Sequence, residues 1–196
     1  MKLKEFLKEN KKTILSLFVN QFGAIVFALM LSLAIVHVTN KLVITLCCIL
    51  AIFFYLYLVY LLMWERGAKD RIRVDGRRLE PCPHKGLKIG LAAAFPMVLL
   101  LALFALAIGI YGITASDLFL NVSGALRMIV MLLESMYLPI LQMVVPGTPE
   151  TAVEIIINIV LLLVFNIPAV VATWLSYYLG YHGKLMSRAY KNPKRD

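Results

Sequence analysis

Arginines are concentrated in one charged loop of a chain that is otherwise apolar. Residues 72 to 80 alternate between polar and apolar types around Asp75-Gly76, the pair that a two-residue hairpin turn prefers. Such a β-hairpin places Arg73 directly opposite Arg78, which is unfavourable unless an anion lies near both charges. A lipid phosphate, an acidic partner or an acidic residue elsewhere in the chain would supply that anion. The pattern therefore predicts an anion or partner site formed by Arg71, Arg73, Arg77 and Arg78.

The same loop also has a simpler interpretation. Cytoplasmic loops of multi-pass proteins are basic because membrane insertion requires it. Eight cations and four acids in residues 65 to 88 fit that requirement without any binding site. A folded hairpin is favoured by the turn-forming centre and by the flanking Gly67 and Pro81-Cys82-Pro83, since a topology signal alone needs no ordered turn.

The sequence offers little for catalysis or metal binding. Cys82 and His84 are two residues apart, whereas structural zinc sites use pairs such as Cys-x2-Cys with a second matching pair. No phosphate-binding glycine loop, zinc-protease helix or nucleophile elbow motif is present. An enzyme acting on lipid phosphate would have only Asp70 and His84 as its general acid or base. We therefore expect no enzyme activity, no metal and no cofactor.

Polar residues inside the apolar segments form a second candidate site. Uncompensated polar groups are unfavourable in lipid and tend to face a bundle interior or a cavity. They either line a polar cavity between the first and last spans or hold the helices together by hydrogen bonds. The second interpretation is favoured because the sequence places no acidic residue at the middle of the membrane. The candidate cavity residues are Asn20, Gln21, Glu154, Asn158 and Asn166.

Composition places the protein in a membrane. Hydrophobic residues make up 61% of the 196 residues and charged residues 16%, which is too apolar for a water-soluble domain. The three cysteines show no disulfide pattern and are expected to be reduced. Four apolar runs each exceed the roughly 20 residues that a helix needs to cross about 30 Å of hydrocarbon. The sequence thus predicts a single all-α domain over residues 1–196, a four-helix transmembrane bundle with spans near 13–36, 42–64, 89–113 and 155–178.

A further apolar segment, residues 117 to 145, is ambiguous because it contains Arg127 and Glu134. Both lie on one polar face of a helical wheel, opposite a row of apolar residues. Insertion energy does not decide whether the segment crosses, because two charged residues cost about 2.5 to 3.5 kcal/mol each and the apolar residues offset a similar sum. We predict an amphipathic helix on the outer side that lies in the interface or re-enters the membrane. The alternative is that Arg127 and Glu134 pair inside a bundle.

The positions of the 20 lysines and arginines decide the number of crossings. Five precede the first span, eight lie in loop 65–88 and five lie in the tail, residues 180–196. Four crossings place all three clusters in the cytoplasm, as the positive-inside rule requires, whereas a fifth would export the tail. We therefore expect a multi-pass protein of the cell membrane, such as a bacterial inner membrane, with both termini cytoplasmic. The net charge of +9 then reflects topology and indicates no nucleic-acid partner.

Small residues recur every four positions along the third span, which lets another helix pack closely against it. That helix belongs either to the same chain or to a second copy in a homo-oligomer. The stripe consists of Gly86, Gly90, Ala94, Ala105 and Gly109.

These features favour a membrane-embedded partner or regulator that is not an enzyme. Its cationic cytoplasmic hairpin would dock an acidic membrane protein or anionic lipid headgroups. The alternative function is a small-solute transporter or channel component, with the polar cavity between the first and last spans.

Overall fold

The computed structural model describes residues 3–35, 37–38, 40–138, 140–141 and 152–183. Regular structure within these ranges is entirely helical. The elements are α1 (Leu3–Ala34), α2 (Lys41–Asp75), α3 (Lys85–Thr114), α4 (Asp117–Leu133), a 3-10 turn at Ser135–Tyr137, α5 (Ala152–Phe165) and α6 (Ile167–Tyr181).

Four stretches of helix are long and apolar enough to cross a membrane, in agreement with the four predicted spans. The last of them joins α5 and α6 through a break at Asn166. The first three helices extend beyond the predicted spans because hydropathy detects only their apolar portions. The candidate spans are Lys4–Ala34, Lys41–Asp75, Lys85–Thr114 and Val153–Tyr181.

The predicted β-hairpin at Asp75-Gly76 is wrong, because α2 continues as a helix to Asp75 and then ends. The Arg77 N–H donates to the Val74 carbonyl at 2.9 Å, and the Arg78 N–H donates to the Arg73 carbonyl at 2.8 Å. This is the hydrogen-bond pattern of a Schellman cap, with Arg77 as the left-handed residue at φ 55°. A helix end, and not a strand turn, therefore occupies the centre of the charged loop.

Side-chain pairs four residues apart explain why the helix persists. Glu65 pairs with Lys69, and the Arg71 Nε lies 3.8 Å from the Asp75 carboxylate. Oppositely charged residues at this spacing lie on adjacent turns and stabilise a helix by about 0.2 to 0.5 kcal/mol each. A hairpin centred on Asp75-Gly76 would place Asp75 in the turn, several extended residues from Arg71, so the Arg71–Asp75 pair favours the helix.

The segment after α3 turns back along it. Ala115, at φ 49°, reverses the chain, and α4 then packs against α3. Its end and the following 3-10 turn reach the bundle interior, where Met136 and Tyr137 pack with Ala24, Ala28 and Ala51. We call residues 117–137 the re-entrant segment. Pro139 and residues 142–145 of the predicted helix lie outside the described residues.

Helices α2 and α6 approach so closely that glycine is required on both. A Cβ at Gly67 would overlap the Tyr177 carbonyl oxygen, and a Cβ at Gly180 would overlap that of Trp64. On α3, Gly86 and Gly90 meet Tyr177 and Thr173 of α6, so this half of the small-residue stripe packs within the chain. By contrast, no atom of the described residues outside the helix itself lies within 4 Å of a Cβ built on Gly109.

We expect Gly67→Ala to lower the free energy of unfolding by about 1 to 3 kcal/mol or more, because the added methyl group must push two backbones apart. Gly109→Ala is the matched control, and its effect should stay within about 0.5 kcal/mol. Denaturant unfolding of the purified protein in detergent micelles measures both. Equal effects at the two glycines would contradict the close approach of α2 and α6.

Charged side chains from four helices meet at one end of the bundle. Contacts between Lys85 and Glu9, and between Tyr177 and Asp70, bring the start of α1, the end of α2, the start of α3 and the end of α6 together. We call this the charged end. That it faces the cytoplasm stays a prediction, and the basic tail beyond Gly183 lies outside the described residues.

Candidate functional site

The re-entrant segment carries Glu134 to the middle of the fourth candidate span. Asn166, in the break between α5 and α6, donates from Nδ2 to the Glu134 carboxylate Oε1 at 2.8 Å. The same Nδ2 group also lies 2.9 Å from the Leu162 carbonyl oxygen. Only 3% of Glu134 is exposed, so the carboxyl lies in the bundle interior and not on an aqueous face.

The break at Asn166 follows from local chemistry. Pro168, in the first turn of α6, lacks the N–H that would continue the helix, and its ring excludes the carbonyl of the preceding turn. The Asn166 side chain supplies a donor to the Leu162 carbonyl, which lies just before the break. Interrupted helices leave backbone polar groups inside a membrane only where protein or a cavity satisfies them. A polar position at mid-span is therefore built into this helix.

A small cavity lies beside Asn166, between α1, α2, α3 and α6. Its polar lining comes from Gln21, Tyr55, Asn166 and Thr173. Its volume is about 30 Å³. One water needs about 10 to 15 Å³ on this measure, so the cavity fits one or two waters and no larger solute.

Aromatic residues border the Glu134 carboxyl. Tyr137, three residues further along the chain, stacks on Phe165 with ring centroids 4.7 Å apart. The Tyr137 hydroxyl and the Ser135 hydroxyl are both buried and have no hydrogen-bond partner among the described residues. Buried hydroxyl groups usually find a partner. The surroundings of Glu134 thus contain polar groups that the described protein atoms leave unsatisfied.

The charge state of Glu134 depends on its burial. No lysine or arginine pairs with it among the residues that the structure describes. Burial without a cation makes a charged carboxylate unfavourable, and the hydrogen bond from Asn166 offsets only part of that cost.

The structure brings together only part of the predicted cavity set. Gln21 and Asn166 line the cavity, whereas Asn20, Glu154 and Asn158 lie outside its lining. Asn158 is buried elsewhere on α5. Of the pair expected on the polar face of the outer helix, Arg127 is half-buried and Glu134 is buried. No ion pair joins the two within the described ranges, so the alternative of a buried Arg127–Glu134 pair finds no support.

Glu134 is the residue whose position the sequence analysis missed. The helical wheel placed it on a polar face but gave no depth, and the conclusion that no acid lies at mid-membrane followed from that. The sequence contained two signals for it. An isolated acid, Glu134, lies in an apolar segment, and an asparagine, Asn166, lies two residues before Pro168 in the last span.

The predicted anion-binding arginines are spread around the end of α2. Arg71 and Arg73 are exposed on the helix, and Arg77 and Arg78 are exposed in the loop that follows it. Arg73 lies 3.8 Å from the buried Asp70 carboxylate. An acidic residue of the same chain therefore lies beside one member of this set.

Asp70 is the centre of a network that joins four helices. Lys85 of α3 and the Tyr177 hydroxyl of α6 each donate to its Oδ2 at 3.1 Å. The Lys85 ammonium also lies 3.5 Å from Glu9 of α1. Asp70 is completely buried and Lys85 nearly so. This network joins α1, α2, α3 and α6 at the charged end of the bundle.

Cys82 and His84 form no metal site in the part of the chain that the structure describes, where no group of three or more histidine, cysteine or acidic side chains converges. His84 packs beside Trp174, with ring centroids 6.4 Å apart.

The chain has no match among known proteins: no protein-family model, no curated protein sequence and no solved structure matches it.

Proposed function

We propose that the protein is a proton-linked membrane transport component in which Glu134 binds and releases the proton. The observation that carries the proposal is a buried carboxyl without a cationic partner among the described residues, hydrogen-bonded to the break of a discontinuous helix. Ionisable groups inside membrane segments are unfavourable and are found chiefly on ion and proton pathways.

The combination of a broken helix with a re-entrant segment supports the same function. Secondary transporters place their coupling sites near the middle of the membrane, where discontinuous helices leave polar backbone groups available. Here Asn166 belongs to the broken helix and Glu134 to the re-entrant segment. A movement of either element would change the surroundings of the carboxyl and hence its affinity for a proton.

Cavity size favours a proton over a larger ion or solute. The cavity beside Asn166 has a volume of about 30 Å³. A hard cation such as Ca²⁺ requires about six to eight oxygen ligands. The Glu134 carboxylate has a single side-chain hydrogen bond in the described protein, from Asn166. Water in the cavity would be enough to deliver a proton to this part of the bundle.

The proposed pathway continues towards the charged end along α6. Thr173 lines the cavity, and Tyr177 lies one helical turn further and donates to Asp70. Because Asp70, Lys85 and Tyr177 bind one another, we assign the described conformation to a state closed at the charged end. Opening of this network would connect the cavity to the aqueous phase.

Proton flux in proteoliposomes tests the proposal. Purified protein is reconstituted into liposomes that contain a pH-sensitive dye, and a pH gradient is imposed in the presence of valinomycin and potassium. We expect the gradient to decay faster than in protein-free liposomes and the rate to rise with the protein-to-lipid ratio. Decay at the protein-free rate, at pH 6, 7 and 8 alike, would contradict proton transport.

Docking of an acidic membrane protein is the second candidate function, and the observation that favours it is the exposure of Arg77 and Arg78 beyond α2. These side chains form no ion pair among the described residues. Replacing both arginines with glutamate should remove co-purifying protein if the surface docks a partner. Lys88→Glu is the control at the same end, and unchanged association in the arginine variant would contradict docking there.

A further inference from the structure

A cationic cleft lies between α1 and α2 at the charged end, separate from Glu134 and from the loop arginines. Its volume is about 160 Å³, roughly ten times what one water needs. We call it the α1–α2 cleft. Its lining consists of Lys12, Thr13, Ser16, Leu62, Glu65, Arg66 and Lys69.

The charges of the cleft suit an anion with several oxygens. Three cations face one acid, and that acid, Glu65, is already paired with Lys69. Lys12 forms no ion pair in the described part of the chain. Arg66 lies 3.8 Å from Asp70, beyond hydrogen-bond distance, and its buried Nε has no acceptor among the described residues. The hydroxyls of Thr13 and Ser16 add neutral donors that a phosphate accepts.

The apolar residues next to the cleft distinguish a lipid from a free ion. Leu62 lines the cleft itself, and Leu58 lies one turn along the same face of α2. On α1, Leu15 and Val19 are 58% and 62% exposed, one and two turns from Lys12 towards the apolar part of the helix. A headgroup in the cleft would thus have its acyl chains against an exposed apolar surface. An inorganic phosphate would gain nothing from these residues.

We infer that the α1–α2 cleft binds the phosphate of an anionic membrane lipid, with Lys12, Arg66 and Lys69 as the cationic ligands. Basic pockets between transmembrane helices recognise anionic headgroups in this way. Lys12 and Lys69 belong to different helices, so a phosphate between them would also bridge α1 and α2. The bound lipid would therefore stabilise the contact between these helices at the charged end.

Lipid titration of the full-length protein tests the inference. Native mass spectrometry of the protein in detergent micelles measures binding of phosphatidylglycerol and of phosphatidylcholine. We expect phosphatidylglycerol to bind at least about tenfold more tightly. The Lys12→Gln/Lys69→Gln variant should weaken that binding by about fivefold for each lysine removed. Both lysines are exposed, so this variant should still fold, which a thermal unfolding curve checks.

The control removes the same charge from the same end of the protein but outside the cleft. Lys4→Gln/Lys88→Gln should retain phosphatidylglycerol binding within about twofold, because both lysines are exposed and neither lines the cleft. A second arm adds inorganic phosphate at millimolar concentration, which should not displace the lipid. Equal weakening in the two double variants, or displacement by inorganic phosphate, would overturn the inference.

Discussion

Replacing Asp70 with asparagine is expected to lower the free energy of unfolding by about 3 to 5 kcal/mol. Asp70 is fully buried and accepts from Lys85 Nζ and from the Tyr177 hydroxyl, each at 3.1 Å. Among the described residues, the asparagine variant leaves the buried Lys85 ammonium with Glu9, at 3.5 Å, as its one anionic neighbour. An uncompensated buried charge is far less favourable than a paired one, because the protein interior solvates it poorly.

A double-mutant cycle separates the ion pair from other effects of the substitution. Lys85→Met alone should also destabilise, although less than Asp70→Asn, since the buried Asp70 carboxylate keeps the guanidinium groups of Arg66 and Arg73, each 3.8 Å away. The double variant should lose much less than the sum of the two single losses, because neither side then carries an unpaired charge. Losses that simply add would show that Asp70 and Lys85 do not interact.

An exposed charge near the same acid gives the comparison. The Arg73 side chain is 53% exposed and lies 3.8 Å from the Asp70 carboxylate. Solvent screens such a pair, so Arg73→Gln should change the free energy of unfolding by less than about 1 kcal/mol. Denaturant unfolding in micelles gives all four values. A loss at Arg73 as large as that at Asp70 would contradict the assignment of Lys85 as the main partner.

Hydropathy identified the four candidate spans because lipid selects apolar residues over a full helix length. It did not locate where the helices end, since an amphipathic or charged helix continues into water without a change in hydrogen bonding. The charged loop illustrates the limit. Asp75-Gly76 is typical of a hairpin turn, but the Arg71–Asp75 spacing and the pairing of Glu65 with Lys69 indicate a helix over the same residues. Because these residues directly follow the transmembrane part of α2, the helix extends through them to Asp75 without a break.

The candidate site could not be predicted because it depends on contacts distant in sequence. Glu134 and Asn166 are 32 residues apart, and their contact requires the chain to reverse at Ala115 and enter the bundle. A helical wheel reports which residues share a face but not how deep that face lies. The same limit applies to the small-residue stripe of α3, where Gly86 packs against α6 while a Cβ built on Gly109 meets no described neighbour within 4 Å.

Glu134→Gln is expected to reduce proton flux to the protein-free rate. The amide oxygen still accepts the hydrogen bond from Asn166, so the local structure should be retained, but an amide does not titrate between pH 4 and 8. Asn166→Asp is the companion variant: it keeps the size of the side chain, replaces the donor with an acid and should alter the pH at which flux is half-maximal. Wild-type flux in Glu134→Gln would exclude Glu134 as the proton site.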